Sequence, residues 1–180
     1  MAASYTLYHY YETSIGPFRN LSELPHTEAE LVQQQLRQQD ASFAAKRAGD
    51  YLLMRRELES KMRTLFAQKG GCPTRSCPHY MIVEPCAWLH TWYAEVAFVE
   101  IPLANFLPHQ VSFTYGDSFP AMRSQDGRSY RGQVYTMHEL SDLIERYGLP
   151  QEWNSDGTKG PERYIEAQVW DDLPLRSFLI

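Results

Sequence analysis

The sequence contains few cysteines and no long apolar run, and both absences limit where the protein can work. Three cysteines in 180 residues, without a leader segment, suit a reducing compartment. No stretch approaches the roughly 20 consecutive apolar residues that a membrane-spanning helix needs. The N-terminus also lacks a charged segment followed by an apolar one, which a secretory leader would have. We therefore expect a soluble, cytoplasmic protein with no membrane partner.

Three frequent catalytic motifs are missing as well. The sequence has no glycine-rich phosphate loop, no nucleophile elbow and no dinucleotide-binding glycine fingerprint. ATP hydrolysis, acyl transfer on an α/β-hydrolase framework and hydride transfer on a Rossmann fold are therefore disfavoured.

What the chain does contain is a large share of ring side chains. Hydrophobic residues make up 43% of the sequence, which includes 12 Tyr and 4 Trp. This composition predicts a compact fold with amphipathic ring surfaces. At 180 residues the chain is too short for two domains of ordinary size, so we expect one domain over residues 1–180.

The charge is negative overall but basic in one region. A net charge of -5 argues against a non-specific nucleic-acid coat protein. The second quarter of the chain is nevertheless crowded with the basic residues Lys46, Arg47, Arg55, Arg56, Lys61, Arg63, Lys69 and Arg75. This basic stretch is either a solvated helix face or a contact for phosphate groups, and the sequence leaves both interpretations open.

The spacing of apolar residues predicts an α+β fold. Apolar residues at three- to four-residue steps over 27–69 predict two helices that break near 48–50, with Asp50 as the N-cap of the second. Thr136 and Glu139 form a capping box for a further short helix. Strand-like runs bounded by Pro, Gly or Asn lie at 5–11, 79–84, 96–101, 110–116, 129–135 and 162–170. We expect a mixed or antiparallel sheet with a helical segment in the N-terminal half.

The last predicted strand places a carboxyl group among rings. Ile165, Ala167 and Val169 fall on one face, while Glu162, Tyr164, Glu166, Gln168 and Trp170 fall on the other. If the first strand lies nearby, His9 can reach the same cleft as Glu166. A buried Glu opposite a His is typical of a group-transfer site. A half-solvated sheet face is the alternative interpretation.

Two further groups of residues carry possible chemistry. In the run at 111–120, Ser112, Thr114 and Gly116 alternate with larger residues, and this row either faces solvent or holds an amide or a ribose. Cys72, Cys77, His79, Cys86 and His90 lie within 19 residues, which raises the possibility of a zinc site. Their spacing is loose for zinc, so separate structural thiols are favoured over a metal site or a catalytic Cys.

Three segments resemble ADP-ribosyltransferase domains. The opening LYHYYETSIGPF is similar to the first strand of that family, and RYIEAQVWDDLPL is similar to its last motif. The middle run HQVSFTYGDSFPAM resembles DarT-like toxins, which ADP-ribosylate nucleic acid. Tyr164 stands where transferases that modify arginine have an acid or amide, which argues against arginine as the acceptor.

The resemblance implies a set of site residues and a function. Glu166 would be the catalytic carboxylate at the nicotinamide ribose, and His9 would orient NAD. Further contacts to NAD are expected from Tyr10 or Tyr115 on the nicotinamide, Ser112 on a ribose, Gln168 beside Glu166, and Arg55 on the pyrophosphate. The implied function is transfer of ADP-ribose from NAD to RNA or DNA by a bacterial toxin of toxin–antitoxin or phage-defence type, which would need a neutralising antitoxin protein.

Two alternatives remain beside this interpretation. The acceptor could be a protein instead of a nucleic acid. The chain could also be a non-catalytic binding module for nucleic acid or protein, with the ring face that includes Tyr164 and Trp170 as its contact surface.

Overall fold

The computed structural model describes residues 4–38 and 50–179. Within these residues the chain forms six strands and five α-helices. In chain order they are β1 (Thr6–Glu12), α1 (His26–Gln38), α2 (Tyr51–Gln68), β2 (His79–Val83), β3 (Val96–Pro102), β4 (Val111–Tyr115), α3 (Ser118–Arg123), β5 (Tyr135–Thr136), α4 (Leu140–Tyr147), α5 (Pro150–Trp153) and β6 (Ile165–Val169). The predicted α+β class is confirmed.

The strands form one antiparallel sheet in the order β3-β1-β2-β6-β4-β5. The last strand in sequence is thus central in space, because β6 pairs with β2 on one side and with β4 on the other. Glu166 lies opposite Ile82 of β2 and Thr114 of β4. All residues of β4 and β6 are buried, so Glu166 is enclosed by strands from both sides.

The two sides of the sheet bury different kinds of side chain. Ile165, Ala167 and Val169 lie on the side that forms the larger hydrophobic core. On the other side, Trp170 packs with Leu58, Met62 and Phe66 of α2. Because side chains alternate along a strand, Glu166 and Gln168 share this second side with Trp170. The predicted division of faces is confirmed for residues 165–169, whereas Glu162 lies before β6 and pairs with Arg128 and Arg131.

The two helices predicted over 27–69 are present, as α1 and α2. Helix α2 begins directly after Asp50, but the Asp50 side chain makes no capping hydrogen bond. The helix ends at Gln68, just before Gly70, whose positive φ of 90° favours glycine. The proposed break at Ala48 and Gly49 lies outside the described residues. The predicted capping box of Thr136 and Glu139 is confirmed.

The strand predicted over 129–135 is wrong except at its end. The chain turns there, because Arg131 N donates to Arg128 O and Gly132 adopts a positive φ of 66°. The Tyr130 ring enters the larger core instead of following a strand. Only Tyr135 continues into β5, a two-residue edge strand.

In the described part of the chain, every helix is too short or too polar to cross a bilayer.

Candidate active site

A ring-lined cavity of about 200 Å³ lies on the Glu166 side of the sheet. Eight of its sixteen lining residues are aromatic: Tyr8, Tyr10, Tyr51, Tyr80, Trp92, Tyr93, Phe119 and Tyr164. Its charged and hydroxyl groups include Glu166, Asp117, Ser118 and Arg55. We call this space the Glu166 cavity. Rings with a few polar groups among them are typical of small-molecule sites.

Glu166 is a buried carboxyl group with an unusual charge state. Only 6% of the residue is exposed, and burial raises its pKa to about 8. The negative charge of Asp117 contributes to this increase, whereas hydrogen bonds from Gln168 and Ser118 and the charge of Arg55 oppose it. Glu166 is therefore largely protonated at neutral pH in the free protein. A cation placed beside it would favour the carboxylate.

A chain of buried hydrogen bonds fixes the position of Glu166. Trp170 Nε1 donates to Ser112 Oγ at 2.9 Å, and Ser112 donates to Gln168 Oε1 at 2.9 Å. Gln168 Nε2 then donates to Glu166 Oε1 at 3.1 Å and to Thr114 Oγ1 at 3.0 Å. Each bond orients the next group, so the amide of Gln168 can point in one direction only.

Ser112 and Gln168 therefore support the position of Glu166 from behind the cavity wall. Both residues are fully buried, and neither lines the cavity. The expected contacts of Ser112 with a ribose and of Gln168 with NAD are replaced by contacts within the protein. The row of hydroxyl groups predicted on β4 faces this buried network and not solvent.

His9 lines the same cavity as Glu166, as the sequence predicted, but its ring nitrogens are engaged within the protein. His9 Nδ1 donates to Tyr80 O at 2.8 Å, and His9 Nε2 accepts from Phe18 N at 2.9 Å. The ring stacks on Phe18, a residue of the larger core, at 4.1 Å between centroids. Burial lowers the pKa of His9 to about 4, although the Tyr80 carbonyl opposes this. His9 borders the cavity as a neutral ring whose two nitrogens are already engaged.

The two candidate stacking tyrosines lie on opposite sides of the sheet. Tyr10 lines the cavity, and its hydroxyl accepts a hydrogen bond from Cys86 N at 3.2 Å. Tyr115 instead belongs to the larger core, where its hydroxyl contacts Tyr147 O at 2.8 Å and Trp153 Nε1 at 3.0 Å. Tyr115 is thus too far inside the core to stack on a ligand in the cavity, and Tyr10 remains the candidate.

Arg55 reaches the cavity but is already engaged by its neighbours. Its guanidinium donates to Glu59 Oε1 at 3.0 Å, to Tyr51 Oη at 3.1 Å and to Asn20 Oδ1 at 2.9 Å. Glu59 is buried and also accepts from Tyr80 at 2.9 Å. The Arg55 guanidinium is therefore already paired with the buried Glu59 side chain. Only its remaining N–H groups can bind a phosphate.

The rest of the basic stretch is mainly engaged within the protein. Arg56 donates to Leu24 O and Arg63 to Pro73 O, while Lys69 pairs with Glu139. Arg75 contacts Asp172 and Glu23. Lys46 and Arg47 lie outside the described residues. These contacts favour a structural role for most of the stretch over an open phosphate-binding surface.

Asp117 is the main polar group of the cavity that the sequence did not single out. Its Oδ2 accepts from the Tyr164 hydroxyl at 3.2 Å, and its Oδ1 accepts from Phe119 N at 2.8 Å. The preceding Gly116 has a positive φ of 98°, and a Cβ there would lie 3.3 Å from Glu162 Cγ. The turn at Gly116 and Asp117 brings Ser118 and Phe119 to the cavity. The feature of the sequence that could have identified Asp117 is its position directly after the glycine that follows β4.

The Cys and His residues considered for zinc are separated in the structure. Cys77 and Cys86 are buried and Cys72 is exposed, all with free thiols. His79 Nε2 donates to Asp172 Oδ1 at 2.8 Å. Among the described residues, no three His, Cys, Asp or Glu side chains cluster as metal ligands would.

Comparisons with models of protein families, with curated proteins and with solved structures find no match to this chain. The Glu166 cavity and its carboxyl groups are therefore the guide to function.

Proposed function

We propose that this protein is an NAD-dependent ADP-ribosyltransferase with an ADP-ribosyltransferase-like fold, and that nucleic acid is its acceptor. The observation that supports this most is the buried carboxyl group of Glu166, held by a hydrogen-bonded chain at the wall of a ring-lined cavity. Breaking the bond between nicotinamide and ribose builds positive charge on the sugar. A fixed carboxylate stabilises that charge more in the transition state than in the ground state.

The charge state of Glu166 fits this reaction. Burial raises the pKa of Glu166 to about 8, so the group holds a proton until a cation approaches. The nicotinamide ring of NAD carries a positive charge, and the ribosyl group acquires one as the bond breaks. This positive charge favours the carboxylate form of Glu166 at the point where the bond breaks. Because Glu166 is buried, little solvent screens the interaction between the two charges.

The size and lining of the cavity suit one end of NAD. About 200 Å³ is less than the roughly 300–1,000 Å³ of a site that encloses a drug-sized ligand. We propose that nicotinamide and its ribose occupy the cavity and that the adenosine half lies outside it. Tyr10 and Tyr80 offer ring surfaces for the nicotinamide. His9 holds β1 in place in this proposal and is not part of the catalytic set.

Nucleic acid is the preferred acceptor because rings such as Trp92 and Tyr93 can stack on an unpaired base. A protein acceptor is the second candidate, since most of the basic stretch is engaged within the protein. A non-catalytic binding module would need a different contact surface from the one proposed from the sequence. Trp170 is fully buried and Tyr164 is 5% exposed, so the ring face proposed from the sequence is not open.

Without control such an enzyme would damage the cell that makes it. We therefore propose a toxin of a bacterial toxin–antitoxin or phage-defence system, neutralised by an antitoxin protein.

The test is transfer of label from NAD that carries its label in the adenylate half. Purified protein is incubated with RNA, DNA and a mixture of proteins, and label is measured in each fraction. We expect label on nucleic acid, and a loss of about 100-fold or more in Glu166→Gln, which keeps the volume and the acceptor for Gln168 but removes the charge. Glu152→Gln, an exposed position outside the cavity, is the matched control.

Label on the protein fraction alone would support the second candidate. No label on any fraction, with a folded wild-type protein, would contradict the proposed activity.

A further inference from the structure

The Glu166 cavity contains a second carboxyl group in a different environment. Asp117 lines the same cavity as Glu166, but it is only half-buried, whereas Glu166 is 6% exposed. The two carboxyl groups are close enough for the charge of Asp117 to raise the pKa of Glu166. Neighbouring carboxyl groups in unlike environments commonly divide catalytic roles between them.

Asp117 is held in place and can still accept another hydrogen bond. Phe119 N donates to Oδ1 at 2.8 Å, and the Tyr164 hydroxyl donates to Oδ2 at 3.2 Å. A carboxylate oxygen has room for a second donor, so both oxygens retain acceptor capacity. Asp117 is more exposed than Glu166, so a group that enters the cavity from outside can reach it.

Attack on the ribose requires a group that removes a proton. The attacking amino, imino or hydroxyl group of an acceptor carries a hydrogen that it must lose. Glu166 is poorly suited to accept it while its negative charge stabilises the ribosyl cation. The half-buried carboxylate of Asp117 has no such conflict.

We propose that Asp117 is the general base that takes the proton of the acceptor, a role that rests on the proposed transfer reaction. The bond between C1′ and the nicotinamide nitrogen breaks, and its electron pair neutralises the nicotinamide ring as it leaves. A lone pair of the acceptor forms the new bond to C1′. The proton of the acceptor passes to Asp117 and then to solvent. The sum is NAD and acceptor giving ADP-ribosyl acceptor, nicotinamide and one proton.

The test compares Asp117→Asn with the wild type. Asn keeps an oxygen that accepts from Phe119 N, so the turn before α3 is preserved while the base is lost. We expect kcat for transfer to fall about 100-fold or more, while the Kd for NAD, measured by titration calorimetry, changes less than about threefold. Asp142→Asn, an exposed position on α4, is the control for the chemical change.

Azide separates a lost base from a damaged site. Azide is an anion that attacks without losing a proton, so it bypasses a missing base. We expect added azide to restore nicotinamide release in Asp117→Asn but not in Glu166→Gln, which still lacks the stabilising charge. A thermal melt of each variant shows that it is folded.

Two results would overturn the proposed role of Asp117. One is transfer by Asp117→Asn within about threefold of the wild type, far less than the loss of a general base causes. The other is failure of azide to restore nicotinamide release in a folded Asp117→Asn that binds NAD normally. If the wild type itself transfers nothing, the proposed function fails and this role fails with it.

Discussion

At the scale of one residue, the burial of Glu166 lowers the stability of the folded protein as pH rises. Its pKa is raised to about 8 by burial, from an ordinary value of 4.5. The folded protein therefore holds a proton that the unfolded chain releases above pH 4.5. Stability is fully present below that value and is lost as pH rises towards 8.

We predict that Glu166→Gln is more stable than the wild type at pH 8. Gln cannot ionise, so the difference in the free energy of unfolding should grow between pH 5 and pH 8, to roughly 2–4 kcal/mol. Urea unfolding of both proteins at these two pH values is the measurement. A difference that stays constant with pH would contradict a buried, protonated Glu166.

His9 gives the opposite pH dependence. Its pKa is lowered to about 4 from 6.5, so the unfolded chain takes up a proton before the folded protein does. The stability that depends on a neutral His9 is present above pH 6.5 and is lost as pH falls through 6.5 towards 4.

We predict that His9→Gln is less stable than the wild type at pH 7, by about 1–3 kcal/mol, because the hydrogen bonds to Tyr80 O and Phe18 N are weakened. This difference should shrink by about 2 kcal/mol at pH 5, where only the wild type pays for protonation. Urea unfolding at both pH values measures it. Transfer by the folded variant should stay within about tenfold, and a loss of 100-fold or more would return His9 to the catalytic set.

At the scale of strands, the centre of the sheet combines a hydrophobic side with a polar one. The polar side of β4 and β6 is buried, and its groups hydrogen-bond one another from Trp170 through Ser112 and Gln168 to Glu166. Such a network is rigid when complete and costly when one member is missing.

We predict that Ser112→Ala lowers the free energy of unfolding by about 1–3 kcal/mol, because Trp170 Nε1 and Gln168 Oε1 both lose a partner. Transfer should also fall, since Gln168 no longer has a fixed orientation. Urea unfolding and the label assay provide both values. Ser141→Ala, exposed on α4, is the control. A change below about 0.5 kcal/mol would mean that the network tolerates the gap.

Alternation along each strand was readable from the sequence, but the relation between strands was not. The faces of residues 165–169 follow from their own spacing, and the structure confirms them. Whether His9 or Tyr10 shares the face of Glu166 depends on how β1 and β2 pair, which no local pattern encodes. Tyr8 pairs with Ile82, which pairs with Glu166, and this puts the even-numbered residues of β1 on the cavity side. His9 still lines the cavity, as predicted, but both of its ring nitrogens are engaged by the protein backbone.

Asp117 was missed for a related reason. Its place in the cavity depends on a hydrogen bond from Tyr164 and on a charge interaction with Glu166, which lie 47 and 49 positions away in the chain. A turn after a strand predicts only that Asp117 leaves the sheet. Its position in the cavity wall depends on the tertiary fold, which no local pattern predicts.

At the scale of the whole molecule, the proposed activity has a consequence for a living cell. A net charge of -5 gives no general attraction to nucleic acid, so selection of the acceptor depends on the cavity. Modification of an essential nucleic acid would stop growth even at low protein levels.

We predict that expression of the wild type slows bacterial growth, whereas Glu166→Gln expressed at the same level does not. Growth curves with matched protein levels on immunoblots measure the difference. Equal growth of the two strains would favour a non-catalytic protein.

The central place of β6 in the sheet also governs how the chain can be made. Before residues 165–169 are made, β2 and β4 have no strand between them, so β3-β1-β2 and β4-β5 cannot join into one sheet and their inner edges stay unpaired. Those edges can pair with other chains while synthesis continues. Because the same strand carries Glu166, closure of the sheet and completion of the Glu166 cavity are a single event, and under the proposed function a growing chain has no activity before that event.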